Sequence, residues 1–466
     1  MYRTRLTRAC LLTAIASAAV TLTALPESVF GQATTQNLPS SARDPGVRGG
    51  AAGAGGALPG LTTGENAFFE NGRAEFAAAE GVGDGLGPRF NLDSCGGCHA
   101  QPVTGGTSPA TNPQVTVARA FGARNVVPSF ISPNGPVREA RFQQNPDGTP
   151  DGGVHALFVI SGRVDSTGNA SGCDAVQEDF EKQVRNKNII FRIPTPVFGA
   201  GLIEMIKDTT LVTNLAANAQ AKSQLGISGR LNRNGNDGTV SRFGWKAQNQ
   251  SLLLFSGEAY NVEMGITTEL FQSERDENPN CQFAKVPNDT QLFDTTAGFP
   301  ALIQAIENFA NFQRFLDQPT PVASFPGASA ASIVRGKQRF IDIGCALCHT
   351  PSLTTSNVAT VAALNGKTAN LYSDIALHNM GPGLADEISQ GGARGDEFRT
   401  APLWGLGQRI FFLHDGRTND LVVAIRQHRS AGNSSFGPSE ANKVIDNFDN
   451  LGDSSKQDLL NFLRSL

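Results

Sequence analysis

The 466-residue sequence is poor in charged side chains, in tryptophan and in histidine. Asp, Glu, Lys and Arg together supply 17% of the residues, and the chain has two Trp and six His. The formal net charge is −4, and the basic residues form no cluster. A mildly acidic chain without a basic patch is a poor candidate for binding nucleic acid. Glycine and proline are abundant, with 51 and 25 residues, which favours long ordered loops between modest helices.

Long apolar runs are absent after the N-terminal leader. Three arginines within the first eight residues precede an apolar run over 10–25, and small residues follow near Gly31 and Ala33. This pattern predicts a secretory signal peptide over 1–33, and it suits a membrane anchor less well because the run is short and contains Thr and Ser. No later segment is long and apolar enough to span a bilayer. We therefore expect a periplasmic or otherwise exported protein without a membrane span.

Two of the six histidines stand directly behind a pair of cysteines. In the sequences CGGCH and CALCH, the residues concerned are Cys95, Cys98, His99, Cys345, Cys348 and His349. Cys-x-x-Cys-His is the attachment pattern of c-type haem, in which the thiols bond to the porphyrin and the histidine binds the iron. Redox cysteine pairs or a shared zinc site are the alternatives, but zinc would leave the histidines unexplained and a thioredoxin-like βαβ pattern is absent. The sequence predicts two covalently attached haem c groups.

Few cysteines remain outside the two pentapeptides. They are Cys10 in the leader, Cys173 and Cys281. In an oxidising compartment we expect Cys173 and Cys281 to form a disulfide that closes a long loop of the first domain. Two separate free thiols are the alternative.

The same short pattern precedes each pentapeptide. Gly-x-x-x-Phe stands at 72–76 and again at 336–340, each time in a predicted helix. Glycine there lets a second helix or a haem approach closely. An amphipathic helix over 454–466, with Asp453 or Ser454 as its cap, completes an arrangement that is typical of small c-type cytochromes.

The composition divides the chain into successive parts. After the leader, a Gly/Ala-rich linker over 34–60 is expected to be disordered. Residues 61–330 are predicted to form an N-terminal haem c domain with insertions, and residues 331–466 a C-terminal cytochrome c-like domain. The boundary is expected near the prolines of 319–321.

Regular structure in the first domain is predicted to be mixed. A helix begins at Thr62 or Thr63 and has Phe68, Phe69 and Phe76 on one face. Residues 155–160 and 188–192 have the composition of short strands and could form a hairpin. The predicted fold class is mainly α, with two cytochrome c-like haem domains, long loops and a few short β-strands inserted in the first.

Several motifs together resemble the di-haem oxidoreductase family of peroxidase-like proteins. These are the Phe90-Asn91 pair before the first pentapeptide, GLIE over 201–204, FGWKA over 243–247, LHNMG over 377–381, RTAPLWGL over 399–406 and LHDGR over 413–417. This family is related to the bacterial di-haem cytochrome c peroxidases. The resemblance implies one iron, usually the N-terminal one, with an open or openable site for peroxide. It also implies a six-coordinate C-terminal iron that receives electrons from an external donor.

The resemblance also implies a ligand for the second haem. In the relatives this ligand lies fourteen residues after the histidine of a His-x-Gly turn, which here is His414. That position is His428, where relatives carry Met or Tyr. A bis-histidine haem is expected to be low-spin and lower in potential than a His/Met haem. A surface histidine on a helix is the alternative.

Other side chains are expected near the second haem. Arg399 is predicted to pair with a haem propionate, because a guanidinium matches a carboxylate, unless it forms a surface salt bridge. Trp404 is expected to pack against the haem, or to be an ordinary core residue. His414 is expected to orient a propionate or its own loop. His378 and Met380 are expected to pack or to hydrogen bond.

For the first haem the sequence offers no comparable distal histidine. A vacant iron site is expected, with His155 and Met264 as alternative ligands. Peroxide cleavage needs a base that moves a proton between the two oxygens, and Glu204 in its apolar surroundings is the candidate, unless it forms a structural ion pair. Trp245 resembles the aromatic residue between the haems of the relatives and is expected to relay electrons, unless it is only a core residue.

The function expected from these features is reduction of hydrogen peroxide by an exported di-haem enzyme. A small cytochrome or a cupredoxin would donate the electrons, and a calcium ion could lie between the domains. An electron-transfer cytochrome without catalysis is one alternative. An oxygenase, acting on dioxygen, or a cofactor-maturing enzyme on the same scaffold is the other.

Overall fold

Helices are the main regular structure of the chain, and the strands between them are short. The computed structural model describes residues 42–120, 122–166, 168–274, 278–294, 299–302 and 304–466. The helices are Thr63–Ala77 (α1), Cys95–Cys98 (α2), Gln114–Ala120 (α3), Phe180–Asn186 (α4), Ala200–Glu204 (α5), Asp208–Ala216 (α6), Ala219–Leu225 (α7), Leu252–Met264 (α8), Ala305–Phe315 (α9), Ala330–Asp342 (α10), Leu421–Arg426 (α11), Asn442–Asp449 (α12) and Asp453–Ser465 (α13). The predicted signal peptide over 1–33 lies outside the described residues.

Helix α1 crosses α9 at very close range. A Cβ atom at Gly72 would lie 2.3 Å from the carbonyl oxygen of Asn308, so only glycine fits at this crossing. One turn further along α1, the ring of Phe76 packs 5.0 Å from that of Phe312 and 5.7 Å from that of His99. The crossing therefore fixes the helix that lies beside the first haem motif.

Helices α10 and α13 repeat this arrangement. A Cβ atom at Gly336 would lie 1.9 Å from the carbonyl oxygen of Asp458. Phe340 follows one turn later, with its ring 5.5 Å from that of Phe462 and 6.2 Å from that of His349. The close helix approach predicted from the Gly-x-x-x-Phe pattern is confirmed at both places.

The cap predicted for α1 is confirmed, because Thr62 forms a complete capping box with Glu65. Two other local predictions about these helices need correction. Phe68, however, is 42% exposed, because the buried stripe of α1 passes through Phe69 and Phe76. The last helix, α13, begins at Asp453, one residue before the predicted start, and its N-cap is Gly452 instead of Asp453 or Ser454.

The described strands form small antiparallel sheets of two or three strands. They are Arg89–Phe90 (β1), Glu139–Phe142 (β2), Val154–His155 (β3), Phe158–Val159 (β4), Ile189–Arg192 (β5), Leu292–Asp294 (β6), Phe299–Leu302 (β7), Leu353–Thr354 (β8), Thr368–Ala369 (β9), Leu377–Asn379 (β10) and Glu397–Arg399 (β11). The strands predicted over 155–160 and 188–192 exist in part, but they do not pair with each other. Strand β2 lies between β3 and β5, with Ala140 opposite both His155 and Phe191.

The segment expected to be a disordered linker is ordered where it is described, over 42–60. Leu58 is buried, and its N–H donates to the carbonyl of Phe315 at the end of α9, 2.7 Å away. The N–H of Arg48 donates to the carbonyl of Gly407 at the same distance. Glycine-rich composition gives this segment irregular backbone, and these contacts hold it on the body of the protein.

Long-range connections hold the rest of the chain together. The predicted disulfide between Cys173 and Cys281 is present. From Ser41 to Leu466 the chain is one compact unit, and the domain boundary near 319–321 stays a prediction.

Among the described residues, no helix is both long enough and apolar enough to cross a membrane.

We expect Gly336→Ala to destabilise the protein, because the new methyl group would meet backbone and not a movable side chain. Overpacking of this kind costs about 1–3 kcal/mol. Chemical unfolding followed by circular dichroism would measure the loss. Gly235→Ala is the control, since nothing lies within 4 Å of a Cβ there. Equal stability of the two variants would contradict the close crossing.

Candidate functional site

The first pentapeptide lines a large cavity, called cavity one here. It has a volume of about 150 Å³ and includes Cys95, Cys98 and His99 in its wall. Helix α2 holds both cysteines on a single turn, and Ser94 caps it by accepting a hydrogen bond from the N–H of Gly97, 3.3 Å away. The short helix thus presents both thiols and the following imidazole to one space.

The second pentapeptide lines a comparable space, called cavity two. It has a volume of about 220 Å³ and includes Cys345, Cys348 and His349 in its wall. The walls of both cavities are mainly apolar, as the walls of cofactor sites commonly are.

The two pentapeptide histidines have the form that an iron ligand requires. Nδ1 of His99 donates to the carbonyl of Gly106 at 2.9 Å, and Nδ1 of His349 donates to that of Tyr372 at 3.0 Å. Burial lowers the pKa of each imidazole to about 4. A neutral ring whose Nδ1 carries the proton leaves the Nε2 lone pair for a metal.

His428 lies in the wall of cavity two, as His349 does. Its Nδ1 is 2.9 Å from the carbonyl oxygen of Ala424, an arrangement that leaves Nε2 for the cavity. After burial, the charge of His428 is the next largest factor lowering the pKa of His349, so the two imidazoles lie near each other. The structure therefore brings together the two histidines that the sequence paired.

Two buried arginines in the wall of cavity two fit an anionic cofactor. Burial lowers the pKa of Arg399 and of Arg409 to about 10 in each case. Nε of Arg399 donates to the carbonyl of Gly244 at 2.9 Å. No described carboxylate pairs with either guanidinium. Buried charges without a partner are costly, so a propionate-bearing group fits here. No motif in the sequence had drawn attention to Arg409.

Trp245 lines both cavities. Its Nε1 donates to the carbonyl of Ile193 at 2.9 Å, and its ring lies edge-on to His414, 6.3 Å between centroids. The indole is therefore fixed between the two candidate haem sites. A role of Trp245 as an electron relay stays a prediction.

The other histidines of the second site are engaged in packing and hydrogen bonding. His378 has Nε2 3.0 Å from Asp374 and Nδ1 2.8 Å from Glu440. His414 lines cavity two and stacks on Phe398 with centroids 4.4 Å apart. His378 fills the hydrogen-bonding role that we expected.

Trp404 and Glu204 lie outside both cavities, against expectation. The ring of Trp404 packs against Gly199, where a Cβ atom would be 2.5 Å away, so it is a core residue. Glu204 accepts from Nε of Arg314 at 2.8 Å and from the N–H of Leu252 at 2.9 Å. Its carboxylate is thus a structural ion pair that also caps α8. The apolar sequence around Glu204 reflects the buried helix α5 and not a catalytic pocket.

The structure distinguishes between the two alternative ligands for the first haem. His155 is held by Asp151 and Glu178 and stacks on Phe142, and it does not line cavity one. Met264 is buried and does line that cavity. Of the two, only Met264 is placed where it could reach a haem there.

Cavity one contains a carboxyl pair that the sequence motifs did not reveal. Glu139 and Glu263 line the cavity and are hydrogen bonded to each other. Nδ2 of Asn91 donates to Glu263 at 2.7 Å, and Nε of Arg141 donates to Glu139 at 2.6 Å. The residues come from β2, α8 and the Phe90-Asn91 motif, so no local pattern could have joined them.

The two carboxyl groups differ in acidity. Burial and the neighbouring Glu139 raise the pKa of Glu263 well above its usual value. Burial acts on Glu139 in the same direction, but the charge of Arg141 and the hydrogen bond from Glu263 bring its pKa below the usual value. Glu263 therefore keeps its proton to a higher pH than Glu139 does.

The described residues include one cluster with donor atoms close enough to hold a metal ion. It consists of Cys348, Asp374 and His378. Calcium prefers a shell of oxygen atoms, which this cluster does not offer. Calcium therefore stays a prediction.

Comparisons with known proteins agree with this site. Residues 142–466 match the family described as "Di-haem oxidoreductase, putative peroxidase". No curated protein matched the chain. Among solved structures, hydrazine synthase of Kuenenia stuttgartiensis has 11% identity and a TM-score of 0.35, covering 95% of this chain and 100% of its own.

A second solved structure is a MauG-like protein associated with microbial copper homeostasis. It has 16% identity and a TM-score of 0.28, covering 59% of this chain and 89% of its own. Both TM-scores are too low to carry an argument about this chain. The family match spans more than half of the sequence and includes the second pentapeptide, Trp245 and His428. The chain belongs to the di-haem oxidoreductase family.

Proposed function

We propose that the protein is an exported di-haem c-type oxidoreductase that reduces hydrogen peroxide in cavity one with electrons received through cavity two. Haem held by Cys95, Cys98 and His99 would supply an iron site at which peroxide can be reduced. Export by the leader over 1–33 and a small cytochrome or cupredoxin as donor belong to the same proposal.

The observation that carries this proposal is the difference between two cavities that share Trp245. Cavity two has His428 in addition to His349, whereas the described wall of cavity one contains no histidine besides His99. His349 and His428 would together hold a haem that supplies electron transfer. A single imidazole leaves room for a substrate. Trp245 then offers an aromatic ring between the two sites.

The carboxyl pair of cavity one supplies the proton chemistry. The ionised Glu139 can accept a proton from one oxygen of a bound peroxide. The protonated Glu263 can give a proton to the other oxygen, so that water leaves. Asn91 and Arg141 orient the pair through the hydrogen bonds described above. This pair takes the role that the sequence had suggested for Glu204.

Electron transfer without catalysis is a second candidate, because Met264 lines cavity one. A methionine sulfur together with His99 would fill both axial positions of the first haem, as in electron-carrier cytochromes. Met264 directly follows Glu263 at the end of α8, so ligation by Met264 would compete with access of peroxide to the carboxyl pair. Met264→Leu would leave the first haem's spectrum unchanged if Met264 is not a ligand.

We expect Glu263→Gln to lower peroxide turnover by about 100-fold or more, because general acid–base catalysis contributes about 10²–10⁴. Steady-state oxidation of a reduced cytochrome donor would measure it. Glu204→Gln is the control, and it should keep most of the activity because Glu204 pairs with Arg314 outside the cavities. The assignment is wrong if Glu204→Gln loses turnover and Glu263→Gln keeps it.

The raised pKa of Glu263 makes stability depend on pH. The folded protein retains a proton that the unfolded chain releases near its usual pKa of 4.5. Stability should therefore fall as pH rises above 4.5 toward the folded-state pKa. The slope contributed by this group is at most about 1.4 kcal/mol per pH unit. Unfolding of wild type and Glu263→Gln over this range would show a flatter profile for the variant. If the stabilities of wild type and Glu263→Gln depended on pH in the same way, Glu263 would not retain a proton in the folded protein.

Trp245→Phe should slow turnover supported by a donor cytochrome, because the indole and its hydrogen bond to Ile193 are lost between the two cavities. Stopped-flow absorbance would follow electron transfer between the haems after rapid reduction of the second. Trp404→Phe is the matched control, since Trp404 lies in the core against Gly199. Equal rates in both variants would exclude Trp245 as the relay.

A further inference from the structure

We propose that Asp44, near the N-terminus of the described chain, is a positioning residue that holds the His428 turn against cavity two. The segment 42–50 is called the N-terminal strap here. The proposal rests on the proposed role of His428 as a ligand of the second haem. It adds a residue that lies far from the haem motifs in sequence.

The strap is joined to the C-terminal helix by a buried, two-pronged ion pair. Nε of Arg464 lies 2.7 Å from Oδ1 of Asp44, and its second terminal nitrogen lies 2.6 Å from Oδ2. The Arg464 side chain is fully buried, and that of Asp44 is 7% exposed. Asp44 is itself oriented by the N–H of Gly46, which donates to Oδ1 at 2.9 Å. Charge-assisted pairs of this geometry are strong and directional.

The same carboxylate reaches the first turn of α11. The N–H of Leu421 donates to Oδ2 of Asp44 at 2.8 Å, and the N–H of Val423 donates to Asp420 at 2.9 Å. Two carboxylates therefore each accept from one of the free N–H groups at the start of this short helix. One of them belongs to the helix itself, and the other comes from the strap.

Helix α11 leads directly to His428. Leu421 and Ala424 line cavity two, and the N–H of His428 donates to the carbonyl of Ile425 at 3.2 Å. Nδ1 of His428 is bound to the carbonyl of Ala424. The imidazole is thus oriented by the helix whose first N–H group Asp44 holds. A shift of the α11 start would move His428 relative to His349.

Arg464 extends this connection to the wall of cavity two. Its guanidinium donates to the carbonyl of Arg409 at 3.0 Å and lies 5.0 Å above the ring of Phe412. Both Arg409 and Phe412 line the cavity. Asp44 therefore joins the strap, α13, the α11 start and the cavity wall at a single point.

Carbon monoxide binding to the fully reduced holoprotein tests this proposal, because the gas binds a haem only where an axial position is open. We expect the second haem of the wild type to bind no carbon monoxide, and we expect Asp44→Ala to let it bind. Hydrogen exchange at the Leu421 amide, measured without any ligand, should become at least about tenfold faster. Asp44→Asn keeps an oxygen acceptor and should show a smaller change in both measurements, even if Asp44→Ala folds poorly.

Gln457→Ala is the matched control. Gln457 ties the strap to α13 through the backbone of Arg43, at 2.9 Å and 3.0 Å, without touching α11. It should leave carbon monoxide binding and Leu421 exchange as in the wild type. Equal effects of Gln457→Ala and Asp44→Ala would overturn the proposal, because any loosening of the strap would then suffice.

His428→Ala separates failure of this proposal from failure of the assigned ligand. If His428→Ala opens the second haem to carbon monoxide and neither Asp44 variant does, Asp44 has no positioning role. If His428→Ala leaves the second haem unchanged, the ligand assignment is wrong and the positioning role fails with it. The proposal is supported if Asp44→Ala and His428→Ala both let the second haem bind carbon monoxide and Gln457→Ala does not.

Discussion

The close approach of two helix pairs is the constraint on which the two candidate haem sites depend. At Gly72 and Gly336 the backbone of a second helix occupies the place of a Cβ atom. This contact fixes Phe76 and Phe340 one turn later, and each ring packs beside the histidine of its pentapeptide. A helix held this tightly can border a large cavity without collapsing into it, because its other face is already packed at the density of a protein interior.

Polar groups within that scaffold make the two cavities chemically unlike. Cavity two combines His428 with two buried arginines that pair with no carboxylate in the described part of the chain, and this favours an anionic cofactor. Cavity one has a carboxyl pair in which Glu263 keeps its proton to a higher pH than Glu139, and this favours proton transfer to a bound substrate. Trp245 lies at the wall shared by both. The proposed division between a reacting site and an electron-accepting site rests on these differences and not on the two similar pentapeptides.

Much of this arrangement could be predicted from the sequence, because it is encoded by residues at short and fixed spacing. The Cys-x-x-Cys-His pentapeptides, the Gly-x-x-x-Phe pattern, and the distance from His414 to His428 are of this kind. Glu204 was a wrong prediction, since an apolar stretch does not distinguish a catalytic pocket from a buried ion pair. The prediction that Trp404 packs against the second haem was also wrong, since a tryptophan in a family motif can equally be a core residue. Glu139 and Glu263 meet only through the tertiary fold, and local sequence contains no sign of that.

Electron paramagnetic resonance of the purified ferric protein, before and after hydrogen peroxide, tests the central claim most directly. One high-spin and one low-spin signal are expected, because the described wall of cavity one offers no second imidazole, whereas His349 and His428 would both bind the second haem. Peroxide should consume the high-spin signal, before or after reduction by one electron. Two low-spin signals that peroxide leaves unchanged in both states would contradict the account and identify an electron carrier with Met264 as the remaining ligand.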